Sequence, residues 1–382
     1  MKVVFFCNIL PDPCGAFFHD VTFATYLQRK GHSCHFVYVK RRPTQNMRDT
    51  YRGFPATYYM NAEKELKHSD VWISPHYPIL GTVRKLNEQF LKPLVFTCHF
   101  AESVDPLKPF AHGASWGEAA CFMTEYMQRN IESRVPVFAD TIKERRITRT
   151  FMDESAFGFR NPGDLVTGEY ITLINANKLK GLDMFLELAK RFPHRKFLGV
   201  RPYYNPLQLP AFPNIKWVNL TEDIKEVLRE TRILLTPSFS ESFCRVAFEA
   251  MYNGIPVLYT RPVENTHFAS GSTEGYHEWA RGVGIDCDFY NVDEWATAIE
   301  HLDSVDVYAQ TSEACYALTR SMNIKQEMVK MEEFIQDFAR RYTIVHQIKS
   351  ASHQEAPAVP RMVAPASFRI GFSGGGRSGV RR

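Results

Sequence analysis

What this chain of 382 residues has little of excludes several functional classes. Its eight cysteines (7, 14, 34, 98, 121, 244, 287 and 315) include no Cys-x2-Cys pair. That argues against a structural zinc site and against a disulfide framework, and reduced thiols in a cytosolic protein are the expectation. No run of about 18 apolar residues occurs, so no membrane-spanning helix is expected. The apolar run after Met1-Lys2 is too short for a signal peptide and reads as a first strand, so a cytoplasmic protein is expected. The Gly-x-Gly-x-x-Gly dinucleotide fingerprint is missing; the first loop, Ile9 to Gly15, holds one glycine. Net charge is +4, compatible with anionic substrates and too small to indicate nucleic-acid binding by itself.

What is present is 45% hydrophobic and 13% aromatic, enough for two domains with proper cores. The most informative stretch is Arg232 to Thr260. Ile233-Leu234-Leu235 has buried-strand length and is stopped by Thr236-Pro237-Ser238. Phe243 to Met251 has helical spacing, with Phe243, Val246, Ala247, Ala250 and Met251 on one face. Ser242 is the expected N-cap, without a capping box because Arg245 stands at the third position. Asn253-Gly254 stops the helix, and Ile255 to Tyr259 is the next strand. This is a β/α unit of a parallel sheet. It places Glu241 in the loop at the carboxyl end of a strand, where ligands of open α/β sheets bind. A helix N-terminus at that place suits a diphosphate, and carboxylates accept hydrogen bonds from sugar hydroxyls. Diphosphate and hydroxyls together point to a nucleotide-sugar.

The pattern Glu241-x7-Glu249, within Glu-Ser-Phe-Cys-Arg-Val-Ala-Phe-Glu-Ala-Met-Tyr-Asn-Gly-Ile-Pro-Val, resembles the signature of family 4 retaining glycosyltransferases. The resemblance implies a GT-B α/β fold, in which two Rossmann-like domains face a cleft. It also implies that Glu241 lies by the donor sugar and Glu249 binds the nucleotide's ribose. Ser242, Phe243, Cys244 and Arg245 would complete that donor segment. Cys244 stands where the family usually has Gly, which puts the donor pose in question. The family's Arg-x4-Lys-Gly is matched in part: Lys180-Gly181 fits, while Asn175 stands where Arg is common. A lysine beside a glycine at a helix start is a sensible phosphate grip, so Lys180 is the expected cation.

Taken in order, Lys2 to Asn8, His35 to Val39, Val71 to Ser74, Leu94 to Thr97, Cys121 to Thr124 and Val135 to Phe138 read as strands of a first domain. His19 to Lys30 reads as a helix. By resemblance the loop holding Gly15 faces the cleft, and His99, after the fourth of these strands, lies close to the donor sugar. Asn161-Pro162-Gly163-Asp164 marks the linker. Tyr170 to Asn175, Lys196 to Val200 and Asn214 to Leu220 are strands of a second domain, with a helix over Leu182 to Arg191. Arg201 follows the second of them; Val218 and Asn219 fall where the family holds the base, and Glu264 lies in a loop near donor phosphate or acceptor. The resulting layout is an acceptor domain over 1–160, completed by a crossing helix near 325–345. A donor domain follows over 161–322, then a disordered basic tail over 350–382. Asp286-Cys287-Asp288 resembles a metal-chelating Asp-x-Asp but falls too far along. Gly371 to Ser378 imitates a P-loop without its strand and helix. Lys40, Arg41, Arg42, Arg48 and Arg52 form a basic cluster, read as a solvated loop or as an anion site for a charged acceptor or membrane surface.

The resemblance therefore implies transfer of a hexosyl or pentosyl group from a nucleotide-diphosphate sugar to a hydroxyl acceptor in a glycan, lipid or small molecule. Retention is implied, with no resident cofactor and no metal. The residues expected to carry it are Glu241, His99 and Lys180. Two other readings are a GT-B enzyme acting on modified DNA bases, and an inactive nucleotide-sugar-binding module.

Overall fold

The computed structural model describes residues 1–354 except 13, 43–45, 76–78, 100–116, 143, 162, 203–208 and 263–271, and without the side chains of 137–139 and 344–354. Glu264, Pro162 of the linker turn and the P-loop-like Gly371 to Ser378 lie outside the described residues.

Two sheets organise the chain. The first holds β1 (Lys2–Cys7), β2 (Ser33–Tyr38), β3 (Arg48–Tyr51), β4 (Phe54–Tyr58), β5 (Val71–Pro75), β6 (Leu94–Cys98), β7 (Glu118–Phe122) and β8 (Glu144–Ile147), in the order β3-β4-β2-β1-β5-β6-β7-β8. The second holds β9 (Tyr170–Leu173), β10 (Phe197–Val200), β11 (Ile215–Val218), β12 (Thr231–Thr236), β13 (Val257–Thr260) and β14 (Ile285–Cys287), in the order β11-β10-β9-β12-β13-β14. All pairings are parallel except the edge hairpin β3–β4. The central strands are apolar throughout rather than alternating: Val3 to Cys7 and Ile233 to Leu235 are buried. A sheet covered on both faces by helices requires that.

The helices are α1 (Gly15–Arg29), α2 (Glu63–Lys67), α3 (Leu80–Phe90), α4 (Glu125–Arg134), α5 (Pro136–Thr141), α6 (Glu154–Phe157), α7 (Leu182–Arg191), α8 (Ile224–Glu230), α9 (Arg245–Tyr252), α10 (Glu274–Ala280), α11 (Val292–His301), α12 (Val305–Ser321) and α13 (Ile324–Gln354). Each sheet reverses its strand order once. In the second sheet β9 and β12 leave the reversal in opposite directions; in the first, β1 and β5 do. Such a switch point opens a crevice at the carboxyl ends of the strands.

The chain divides into two compact units, Met1–Tyr342 and Thr343–Arg382. The first contains both sheets. Of the second, residues 343–354 are described, as helical backbone. Within the first unit one apolar cluster is shared by both sheets' layers: Phe122, Met123 and Met127 pack with Phe243, Phe248 and Trp279. Fully burying a Phe or Met side chain contributes about 1.5–3 kcal/mol, so this junction is held firmly. Met328, Met331, Ile335 and Phe338 of α13 pack into the core of the first sheet.

Four expectations are corrected. Val135 to Phe138 is not a strand: Pro136 opens α5, a position its fixed φ favours. Helix α9 starts at Arg245, and its N-cap is Cys244 rather than Ser242. Ser350 to Gln354, expected in a disordered tail, are helical. Gly15 is the first residue of α1 rather than part of the preceding loop. Helix α12 escaped notice because its buried face mixes Tyr308, Ser312, Cys315, Tyr316 and Thr319, which gives little apolar periodicity.

Candidate active site

The loops after β9 and β12 meet at the reversal of the second sheet. After β9, Asn175 takes a positive φ of 64° and accepts a bond from the Asn177 amide. Asn177 in turn caps the short turn Lys178–Lys180, its Oδ1 accepting from the Lys180 N–H at 3.2 Å. Gly181 follows at φ 80°, and a Cβ there would stand 2.1 Å from the Pro237 carbonyl oxygen. Only glycine tolerates both demands. The close approach lets the Phe239 N–H bond the Leu179 carbonyl at 3.0 Å, so the two loops are stitched backbone to backbone.

That stitching sets the side chains. Lys180 Nζ donates to Glu241 Oε1 at 2.6 Å, and Ser238 Oγ donates to the same oxygen at 2.7 Å. The pair is partly open to solvent, with side chains 31% and 12% exposed. Three residues on, Cys244 takes φ 57°, the left-handed region that a glycine occupies at no cost. Cys244 stands where the resemblance leads one to expect glycine, and its backbone takes a conformation that glycine favours. The Cys244 thiol is buried, and burial, with Glu241 nearby, pushes its pKa up. It is a packed thiol rather than a nucleophile.

Helix α9 then presents Arg245 and Glu249 one turn apart. Arg245 Nε donates to Glu249 Oε1 at 2.7 Å, and Nη1 donates to the Phe151 carbonyl at 3.2 Å. Glu249 is 4% exposed; burial raises its pKa and Arg245 opposes the rise. The helix ends at Asn253, whose side chain is fully used: Nδ2 donates to the Phe157 and Glu249 carbonyls, and Oδ1 accepts from the Phe159 and Arg160 N–H groups. This one amide fixes α9 to the segment that joins the sheets.

Arg201 follows β10; Val218 ends β11 and Asn219 follows it. With the Asn175–Lys180 and Glu241–Arg245 loops, these lie at the carboxyl ends of four adjacent strands, β11-β10-β9-β12. From the first sheet come two histidines. His99, at the end of β6, is buried and its Nε2 lies 3.0 Å from Thr97 Oγ1. His19, one turn into α1, is wholly buried; its ring stacks on Phe151 at 4.1 Å and meets His99 edge-on at 4.8 Å. Its Nδ1 lies 3.0 Å from Asp20 Oδ1. Burial pushes the His19 pKa well down, helped by Arg245, and pushes that of Asp20 up.

A further contact locks the sheets together. Glu278 of α10 accepts from the first two N–H groups of α4, Glu125 and Tyr126, at 3.0 and 2.9 Å. A carboxylate there satisfies orphan donors and meets the positive end of the helix dipole. Gly275, one turn earlier, admits the Ser242 carbonyl where a Cβ would stand 1.9 Å away.

His19, Asp20, Ser238 and Glu278 went unmarked in the sequence. A signal did exist for the first two: a His-Asp pair inside the otherwise apolar face of α1. The other look-alikes resolve differently. Asp286 pairs with Arg261 at 3.0 Å and Asp288 accepts the Tyr290 N–H, so the Asp-x-Asp is spent locally. In the basic cluster, Arg48 pairs with Glu65 and Arg52 with Glu222.

Residues 209–313 match the family model described as "Glycosyl transferases group 1". No curated protein matches the sequence. Among solved structures, HepE of Anabaena in complex with UDP-glucose superposes with TM-score 0.70 at 14% identity, covering 88% of this chain and 100% of that one. Sucrose-phosphate synthase from Thermosynechococcus elongatus gives 0.68 at 12% identity, covering 88% and 99%. The catalytic domain of starch synthase IV from Arabidopsis thaliana, bound to ADP and acarbose, gives 0.59 at 10% identity, covering 88% and 99%. The fold is that of GT-B glycosyltransferases: an α/β architecture with two Rossmann-like parallel sheets.

Proposed function

We propose that the protein transfers a glycosyl group from a nucleoside-diphosphate sugar to a hydroxyl acceptor, with retention and without a metal. The observation that carries this is the Lys180–Glu241 pair, built at the switch point of the second sheet by two stitched loops. The group 1 match over 209–313, which includes Glu241, supports it, and two of the similar structures hold UDP-glucose or ADP.

In this reading the diphosphate lies at the N-terminus of α9, and Lys180 exchanges part of its bond with Glu241 for a phosphate oxygen. Glu241, released in part, accepts hydroxyls of the donor sugar. Glu249 holds Arg245 in place and offers its remaining oxygen to the ribose. The acceptor oxygen bonds to the anomeric carbon as the bond from that carbon to the diphosphate oxygen breaks. The leaving diphosphate keeps the electron pair and takes the acceptor's proton on the same face. Lys180 stabilises the charge that grows on it. The inactive-module reading rested on Cys244 and Asn175. Both adopt the positive φ that the turn needs, so neither departure removes the turn.

The test is thermal shift against uridine, adenosine, guanosine and cytidine diphosphates and their sugars, followed by donor hydrolysis. At about 100 times its dissociation constant a ligand adds roughly 2.7 kcal/mol, an easily read shift. One nucleotide should stabilise the protein, and Lys180→Ala should lower its donor turnover about hundredfold, the loss typical of a charge-stabilising group. If no nucleotide shifts the midpoint, the proposal fails.

A further inference from the structure

This inference rests on the glycosyl-transfer reading and adds a residue from the first sheet to its site. His19 is fully buried, yet its Nε2 has no hydrogen-bond partner among the described residues. Buried polar atoms of this kind are rare and ask for an explanation. The state of that nitrogen follows from its neighbours. His19 and Asp20 share one proton between Nδ1 and Oδ1 at 3.0 Å. A net charge on a buried pair is expensive, so the pair is favoured neutral, which requires two protons. Wherever the shared proton sits, the second is on Nε2. Burial moves the two pKa values in the directions that agree with this state, His19 down and Asp20 up.

Nε2 is therefore a buried N–H donor without an acceptor among the described residues. Its surroundings decide what would satisfy it. Phe151 and His99 hold the ring from its face and its edge. From the opposite sheet Arg245 is close enough to lower the His19 pKa, and its Nη1 is anchored on the carbonyl of the same Phe151. Arg245 directly follows Cys244, which adjoins Glu241 and Lys180. A donor in the neighbourhood of a guanidinium calls for an anion. The ligand atoms of His19, Asp20 and His99 lie within 4.8 Å of one another, a spacing a divalent ion can bridge. The proton on Nε2 and the guanidinium of Arg245 both oppose a cation there.

We propose that His19 Nε2–H donates a hydrogen bond to a phosphate oxygen of the bound substrate, opposite Arg245, so that both sheets grip one oxyanion. The donor diphosphate is one source of that oxygen, and a phosphate on the acceptor is another.

His19→Phe tests this, because it keeps the ring on Phe151 and removes the N–H. The variant also takes Nδ1 from the buried Asp20, so it is expected to lose some stability, and its unliganded melting temperature serves as the check that it folds. Its Kd for the stabilising nucleoside diphosphate, and for inorganic pyrophosphate, should rise about tenfold, with the Kd of the bare nucleoside unchanged. His19→Gln, which restores an N–H, should recover part of the loss. If diphosphate affinity holds but inorganic phosphate no longer binds the diphosphate-saturated variant, the oxygen belongs to the acceptor and the donor role stands. Unchanged affinity for all of these phosphates in His19→Phe overturns the inference alone. Absence of nucleotide binding in the unchanged protein overturns the glycosyl-transfer reading and this inference with it. Stoichiometric zinc or manganese that is lost in His19→Phe also overturns it.

Discussion

On the side of the six-stranded sheet, Lys180 meets Glu241 at 2.6 Å and Arg245 meets Glu249 at 2.7 Å. On the side of the eight-stranded sheet, His19 meets Asp20 at 3.0 Å, in the same kind of place: just past a central strand, at a reversal of strand order. Lys180 and Glu241 keep opposite charges in partly open surroundings, on loops that carry positive-φ residues, while Arg245 and Glu249 form a largely buried pair on α9. The His19–Asp20 pair is sealed, and burial rather than an opposite charge governs its protonation. The difference teaches where each half can act. Paired, part-solvated ions can exchange partners with an arriving diphosphate. A sealed neutral pair can offer a fixed hydrogen bond but changes charge only at large cost.

Three changes would break or sharpen that comparison. The largest effect is expected at Gly181, the pivot of the charged side. Gly181→Ala adds a methyl 2.1 Å from the Pro237 carbonyl at φ 80°. The left-handed backbone alone costs about 1–2 kcal/mol, and the clash adds to it. The midpoint should fall sharply and donor binding with it. A variant as stable as the parent would show that the two loops are not fixed against each other as described.

The next tests whether burial governs carboxyls on the eight-stranded side generally. Glu118, on β7, is buried beside Arg84 at 2.9 Å, and burial raises its pKa to about 7 despite that cation. Because the folded value lies above the unfolded one, the native state holds the extra proton. Stability from this group is therefore full below about pH 4.5 and is lost as pH rises through 7, about 3 kcal/mol in all. Urea denaturation from pH 4.5 to 8 should show that decline, and Glu118→Gln should flatten it. An unchanged slope in the variant would mean that other groups, not Glu118, set the decline.

The smallest effect is expected at Cys244. Cys244→Gly relieves a left-handed residue and removes a buried thiol, two changes of about 1 kcal/mol and opposite sign. Thermal melting should move by no more than a few degrees, with nucleotide binding kept. A large loss of binding would show that the thiol, not the turn, shapes the donor site.

Much of the charged side was legible in the sequence. The run Ile233 to Leu235, the helix through Glu249 and the stop at Asn253-Gly254 are local signals, so Glu241, Arg245 and Glu249 fell where expected relative to strand and helix. The exact helix start did not, because Cys244 adopts a glycine's backbone without being glycine. The sealed side was far less legible. His99 was marked by its place after β6, whereas His19 and Asp20 looked like one polar break in an apolar helix. Their meaning depends on Phe151 and Arg245, residues more than a hundred positions away.

By itself the sequence determined the alternation of apolar strands and helices, and with it two parallel sheets, because burial on both faces leaves an unmistakable apolar run. It also determined that carboxylates, a lysine and an arginine sit at strand ends. Only the tertiary structure decided which of them touch. Lys180 and Glu241 are 61 positions apart and meet because Gly181 lets one loop close on another. His19 becomes a buried donor without a partner among the described residues, stacked on the joining segment's Phe151, whose carbonyl the second sheet's Arg245 holds. Pairing and burial are properties of distance in space, and those distances are set by packing between elements rather than by order along the chain.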